Sequence, residues 1–204
     1  MPIPPIQNWK NVFLDTSTII DYLKNAENCA KNPTAQDAVL TTQKIINTLA
    51  AKQGGKEVRI QFYISAITLA ELPRIANDES SFRRVVRAFN YADITVLDYT
   101  KRIAEQTEIN LKNAITDDGE SRKYVKRMEQ ARREIDNFNA RGWISDDLKI
   151  LMTAKNLPNL DVILTSDKNT FLPIAEKLNL PCLATYNDFL PTDLFGDLDT
   201  TLPI

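Results

Sequence analysis

Apolar positions along this chain fall into two patterns. Short, nearly continuous runs occur at residues 11–15 (NVFLD), 58–65 (VRIQFYIS), 93–98 (DITVLD), 161–165 (DVILT) and 181–184 (PCLA). Runs of this length and β-rich composition predict strands, and those apolar at every position suit a parallel sheet covered on both faces. Between them, apolar residues recur at helical spacing. Ile19, Ile20, Tyr22 and Leu23 predict a helix after Asp15, with Thr16-Ser17-Thr18 offering caps. Val39, Leu40, Ile45, Ile46 and Leu49 predict another over 39–52, ended by Gly54-Gly55. Further helices are expected over 66–75, 81–90, 99–115 and 171–178. Ser145-Asp146-Asp147 reads as a helix start, a capping residue followed by first-turn acids, with Ile144, Leu148, Leu151 and Met152 on the apolar stripe and Pro158 as the stop. The polar, Pro33-containing stretch 25–37 reads as a loop, and Pro73 is expected to kink or break its helix. Alternation of this kind predicts an α/β three-layer sandwich with a mostly parallel central sheet.

Segment 120–139 departs from the pattern. Its apolar residues form a narrow stripe, while Arg122, Lys123, Lys126, Arg127, Arg132 and Arg133 face only Glu120, Glu129, Glu134 and Asp136. It predicts a charged helical insertion at 117–142, outside the core of a single domain over 1–204. A charge-rich helix is most often a solvated arm. The functional alternative is an RNA-backbone contact through Arg122, Lys123, Lys126 and Arg127, or a clamp on a partner. Arg83, Arg84 and Arg87 carry the same ambiguity, and Trp143 and Tyr124 suit base stacking less often than packing. From Asn187 to 204 the tail holds four acids and no Lys or Arg.

Composition narrows the chemistry. A net charge of −2 means that any basic surface for nucleic acid must be local. Two cysteines, Cys29 and Cys182, build no disulfide framework, so a reducing cytoplasm is the expected compartment. Met1-Pro-Ile-Pro-Pro is not a signal peptide, and no apolar run approaches the ~18 residues of a membrane span. The chain has no histidine, which excludes Ser-His-Asp and Cys-His nucleophiles and every His-containing zinc site. It has no Gly-rich phosphate loop. Acid–base and metal chemistry must then rest on carboxylates, which suit hard cations such as Mg²⁺ or Mn²⁺.

Four acids stand out by position: Asp15 and Asp167 at strand ends, Glu71 on the helix after a strand, and Asp147 at a helix opening. In a parallel sheet all four can meet at one edge, and clustered carboxylates repel strongly unless a cation neutralises them. Each has a plainer explanation. Asp15 can be an N-cap, Asp146 and Asp147 dipole acids, Glu71 the partner of Thr68 in a capping box, and Asp167 a turn acid. Each explanation alone is at least as good as the functional one; four coincidences are less so.

The same stretches resemble the PIN-domain nucleases, closest to the VapC-type toxins of bacterial toxin–antitoxin pairs. The resemblance is carried by FLDTSTII over 13–20, ISAITLAEL over 64–72, Asp147 with Ile150 and Ala154, and LTSD over 164–167 with Phe171. It implies a parallel sheet with helices on both sides and Mg²⁺- or Mn²⁺-dependent cleavage of single-stranded RNA. Asp15, Glu71, Asp147 and Asp167 match the family's acidic positions, and Thr16, Ser17 and Thr165 its supporting polar ones. On that basis Asp15, Asp147 and Asp167 hold the cation, and Glu71 completes the shell or positions the attacking water. The sequence departs from the pattern in the added material around 25–56 and 117–142, in Pro73, and in one extra residue between Asp167 and Phe171. Asp146 beside Asp147 leaves that ligand open, although Ile150 and Ala154 favour Asp147.

The expected activity is thus a metal-dependent endoribonuclease, the toxin of a toxin–antitoxin pair. RNA is the substrate, single-stranded or structured; an antitoxin or a second copy of the chain is a candidate partner, and no membrane is involved. Two rivals stand beside it. One is a non-catalytic PIN-like module binding RNA or protein. The other is a Mg²⁺-dependent phosphatase of the haloacid-dehalogenase kind, which wants a second acid where this chain has Ser17.

Overall fold

The structure, a computed structural model, describes residues 3–54, 59–75, 94–116 and 140–195. Five strands, β1 (Asn11–Leu14), β2 (Gln61–Ser65), β3 (Ile94–Leu97), β4 (Val162–Thr165) and β5 (Cys182–Ala184), form one sheet in the order β3-β2-β1-β4-β5. Every neighbouring pair is parallel, with Phe13 of β1 level with Tyr63 of β2 and Ile163 of β4. The α/β fold with a parallel central sheet expected from the sequence is therefore present.

Alternation along the strands feeds two cores. Val12, Leu14, Phe62, Ile64, Val162, Leu164 and Leu183 point to one face. There they meet Ile19 of α1 (Thr16–Leu23), Ile45 and Leu49 of α2 (Pro33–Gly54) and Leu72 of α3 (Ala66–Ile75). Phe13 and Ile163 point to the other. They pack on Leu148, Ile150, Leu151 and Ala154 of α5 (Ala140–Lys155) and on Phe171, Ile174 and Ala175 of α6 (Phe171–Lys177). A further helix, α4 (Lys101–Thr116), packs against α5. Ile6 and Trp9, both buried, close the first core with Leu194, whose carbonyl accepts the Ile6 amide at 2.9 Å.

Three local expectations are corrected. The stretch 25–37 is not a loop: a 3-10 turn spans Ala26–Cys29 and α2 already begins at Pro33. Proline is tolerated at the first helical position, where its missing N–H would have had no partner, and Asn32 caps the turn by accepting the Ala35 amide on Oδ1 at 3.2 Å. Pro73 does not end α3, which runs on to Ile75. Ser145-Asp146-Asp147 is not a helix start, because α5 opens at Ala140 and carries these residues in its second turn. Residues 117–139, 81–90 and 196–204, and with them Arg83, Arg84, Arg87, Arg122, Lys123, Lys126, Arg127 and most of the charged insertion, lie outside the described residues. Among the described residues no helix is long and apolar enough to cross a membrane.

Candidate active site

The strand order fixes where a site can form. From β1 the chain moves outward through β2 and β3, then returns to place β4 on the other side of β1. The helices leaving the two central strands part accordingly: α1 packs on one face and α6 on the other. A crevice at the carboxyl ends of β1 and β4 is the switch point where open α/β sheets bind ligands.

Asp15 lies there, directly after β1. Its amide continues the ladder by donating to the Leu164 carbonyl at 3.0 Å. Its extended backbone makes it the N-cap of α1, so the plain capping explanation is also correct. The buried carboxylate does more than cap. Oδ2 accepts from Ser17 Oγ at 2.6 Å, Thr165 Oγ1 at 2.9 Å and, more weakly, the Ser17 amide at 3.4 Å. Burial pushes its pKa from 3.8 up to about 6 despite those donors, with the field of Asp167 adding to the rise.

Ser17 and Thr165 are joined across the crevice. Their hydroxyl oxygens stand 3.3 Å apart, and Ser17 Oγ accepts the Ser166 amide at 2.8 Å. Thr165 Oγ1 accepts the Asp167 amide at 3.0 Å. The hydroxyls of β4 and α1 thus lock the two strand ends in register around Asp15. Thr16, the first residue of α1, reaches the other way and donates to Glu71 Oε2 at 2.5 Å. That bond brings Glu71 of α3 to the crevice. The capping box of Thr68 with Glu71 is not formed: Thr68 is inside α3 with its buried hydroxyl unpartnered, and Ser65 caps the helix by accepting the Ile67 amide at 3.1 Å.

Asp167 is half-buried and its carboxylate is committed to the turn before α6. Oδ1 accepts the amides of Asn169 and Thr170 at 2.9 and 2.7 Å, and Oδ2 accepts the Thr170 hydroxyl. The turn-acid explanation therefore also describes it correctly.

On α5 the adjacent acids differ. Asp146 pairs with Lys149 at 2.6 Å on the same helix. Asp147 has a buried Oδ2 with no hydrogen-bond partner. Its carboxyl is pushed well above the ordinary range, first by burial, then by the fields of Asp15, Asp167, Glu71 and Asp146. Asp15, Glu71 and Asp167 thus all act electrostatically on Asp147, and Asp167 acts on Asp15 as well. An orphaned buried carboxylate oxygen facing other carboxylates is costly. Oxygen donors of this kind suit a hard divalent cation, which would satisfy the orphan atom. Among the described residues, however, no three acids or cysteines gather into a group ready to hold a metal ion.

Sequence reasoning missed several members of this region. Ser65, at the carboxyl end of β2, is buried and contacts Thr153 Oγ1 of α5 at 3.4 Å. A polar residue ending an apolar run was the signal that picked out Asp15, and it applied equally to Ser65. Thr185, just past β5, donates from Oγ1 to the Thr165 carbonyl and to Ser166 Oγ, each at 3.3 Å, and accepts from Thr42 of α2 at 2.7 Å. Tyr186 donates its hydroxyl to the Ser166 carbonyl at 2.7 Å. Burial, and then the fields of Asp21, Asp167 and Asp37, push its phenol above the ordinary range.

Fold and site together define a class: an all-parallel α/β protein with interacting carboxylates at its topological switch point. No protein-family model matches the chain, and no curated protein matches it in sequence. Among solved structures it is similar to VapBC2 from Rickettsia felis bound to a DNA fragment from their promoter, at 14% identity and a TM-score of 0.43, covering 84% of this chain and 96% of that one. A likeness that distant assigns neither activity nor partner.

Proposed function

We propose that the chain is a metal-dependent endoribonuclease of the PIN kind, the toxin of a toxin–antitoxin pair, acting on single-stranded RNA. The observation that carries the reading is the buried, unpartnered Asp147 Oδ2 lying in the fields of Asp15, Asp167 and Glu71 at the switch point. Asp15, Asp147 and Asp167 would hold Mg²⁺ or Mn²⁺, which supplies Lewis-acid chemistry by lowering the pKa of water and offsetting charge on a phosphodiester. The rest falls to the chain's own groups. Ser17 and Thr165 fix the Asp15 carboxylate by donating to one oxygen, and Thr16 holds Glu71 at the rim, where it can orient water. Asp146 is the weaker ligand candidate, since Lys149 already neutralises it.

A second reading, a PIN-like module that binds RNA or protein without cutting, is favoured by one observation: the Asp167 carboxylate is already occupied by its own turn. The phosphatase reading gains nothing, because Ser17 spends its hydroxyl on Asp15 and on the Ser166 amide. Incubation with end-labelled single-stranded RNA and with a small phosphate ester separates the three. The nuclease cuts RNA with Mn²⁺ and leaves the ester intact, and Asp15→Asn removes the cutting. RNA retention without cleavage supports the binding module, and ester hydrolysis the phosphatase.

A further inference from the structure

Beside the acids, and used by none of the steps above, lies a small aromatic and cationic cluster. Lys168 directly follows Asp167, and its Nζ sits 4.3 Å from the ring centre of Tyr186 and 5.7 Å from that of Phe189. The two rings are 6.2 Å apart and tilted at 56°, an aromatic contact that braces Phe189. Tyr186 is pinned through its hydroxyl to the Ser166 carbonyl, and the Asn187 backbone and side-chain amides are held by Asp37. Phe189 is nevertheless 43% exposed, on a 3-10 turn that the neighbouring bonds keep in place. Asp37, Asp167 and the exposed Asp188 surround the cluster, yet among the described residues Lys168 forms no ion pair with any of them. A rigid, partly exposed ring with an ammonium over it, a few residues from a carboxylate site, matches one ligand in both parts: a nucleobase for the ring and its phosphodiester for the ammonium.

We propose that Phe189, braced by Tyr186 and flanked by Lys168, is a base-stacking subsite that seats one nucleotide of a single-stranded nucleic acid beside the carboxylate crevice. The subsite deepens the nuclease reading and rests on it for the substrate class. It selects single strands, because a paired base in a duplex offers no free face to the ring. Lys168 supplies a local positive charge on an acidic edge, where an approaching phosphate is otherwise repelled.

The test measures binding and cutting separately. Phe189→Trp adds a fluorophore on the platform to the native Trp9 and Trp143, and in chelator, where cutting is not required, a single-stranded RNA oligonucleotide should quench the variant more than the unaltered chain while the matching duplex should not. Phe189→Ala should weaken single-strand affinity roughly tenfold and Phe189→Tyr should restore it, as expected for one stacked base. Lys168→Gln should weaken binding and reduce the slope of log affinity against log salt by about 0.7, the value for one phosphate contact on a single strand. Melting curves establish that each variant folds, and the exposure of Phe189 makes it tolerant of substitution. Binding that depends on Phe189 in a chain that never cuts RNA leaves the subsite standing and removes the nuclease. Cutting and binding both indifferent to Phe189→Ala leave the nuclease standing and overturn the subsite. No oligonucleotide binding by the unaltered chain, or equal weakening for duplex and single strand, also overturns it.

Discussion

Asp15 shows how one side chain can be both a structural cap and a charged liability. Three donor groups converge on its Oδ2, yet burial still holds the group at about 6 in place of 3.8. The unfolded chain releases this proton near 4 and the folded chain near 6, so the unfolded state gains relative stability across that interval. Metal-free protein should therefore lose stability as pH rises from about 4 through about 6, by roughly 3 kcal/mol from this residue at ~1.4 kcal/mol per tenfold. Asp15→Asn should flatten that dependence in urea titrations with chelator present, and an unchanged slope would mean that another group sets it. Asp147→Asn should likewise stabilise the metal-free fold at neutral pH, since it removes a buried carboxyl whose ionisation is opposed by burial and by four acids. Asp146→Asn breaks only a partly exposed pair with Lys149 and should cost no more than about 1 kcal/mol. A larger loss for Asp146 than for Asp147 in the same titrations would reverse their assigned roles. At this scale the sequence was informative about identity and silent about state. Spacing picked out Asp15, Glu71, Asp147 and Asp167, whereas the orphaned Asp147 oxygen and the occupied Asp167 carboxylate depend on neighbours from other elements.

Elements were legible where burial is two-sided and obscure where a single residue carries two meanings. β4 was visible because a strand covered on both faces has almost no polar positions and it is buried at every residue, whereas β3, exposed at Thr95 and Val96, was visible from its β-rich composition. Proline has two meanings here. Pro33 lies in a polar stretch that reads as a loop but occupies the first position of α2, and Pro73 does not break α3. The start of α5 was misplaced because Ser145-Asp146-Asp147 looks like a cap and first turn, while Ala140-Arg141 also favours helix and takes the end further back. If Asn32 caps α2 as its bond to the Ala35 amide indicates, Asn32→Ala should cost about 1 kcal/mol in denaturant unfolding. RNA cutting should be unaffected, because the cap lies outside the crevice. A loss of cutting without a loss of stability would instead give Asn32 a place near the substrate.

The arrangement of the whole molecule turns ordinary elements into a candidate centre. Strand identity was readable, but strand order was not, since nothing in a buried apolar run says which neighbour it takes. The order β3-β2-β1-β4-β5 puts the carboxyl ends of β1 and β4 side by side and sends α1 and α6 to opposite faces. Asp15 and Asp167 thereby follow the ends of adjacent strands, and their fields act on Asp147 of α5 together with that of Glu71 from α3, although among the described residues no three acids gather into a metal-holding group. Residues that are individually a cap, a turn acid and helix acids come to share one electrostatic environment. The most direct measurement is cleavage of an end-labelled single-stranded RNA by the unaltered chain and by Asp147→Asn, each with Mn²⁺ and with chelator. The unaltered chain should cut only when metal is present, and the variant should lose roughly a hundredfold or more, because several kcal/mol of charge stabilisation depend on the held cation. Equal cutting in chelator, or undiminished cutting by folded Asp147→Asn, would contradict the metal-dependent mechanism.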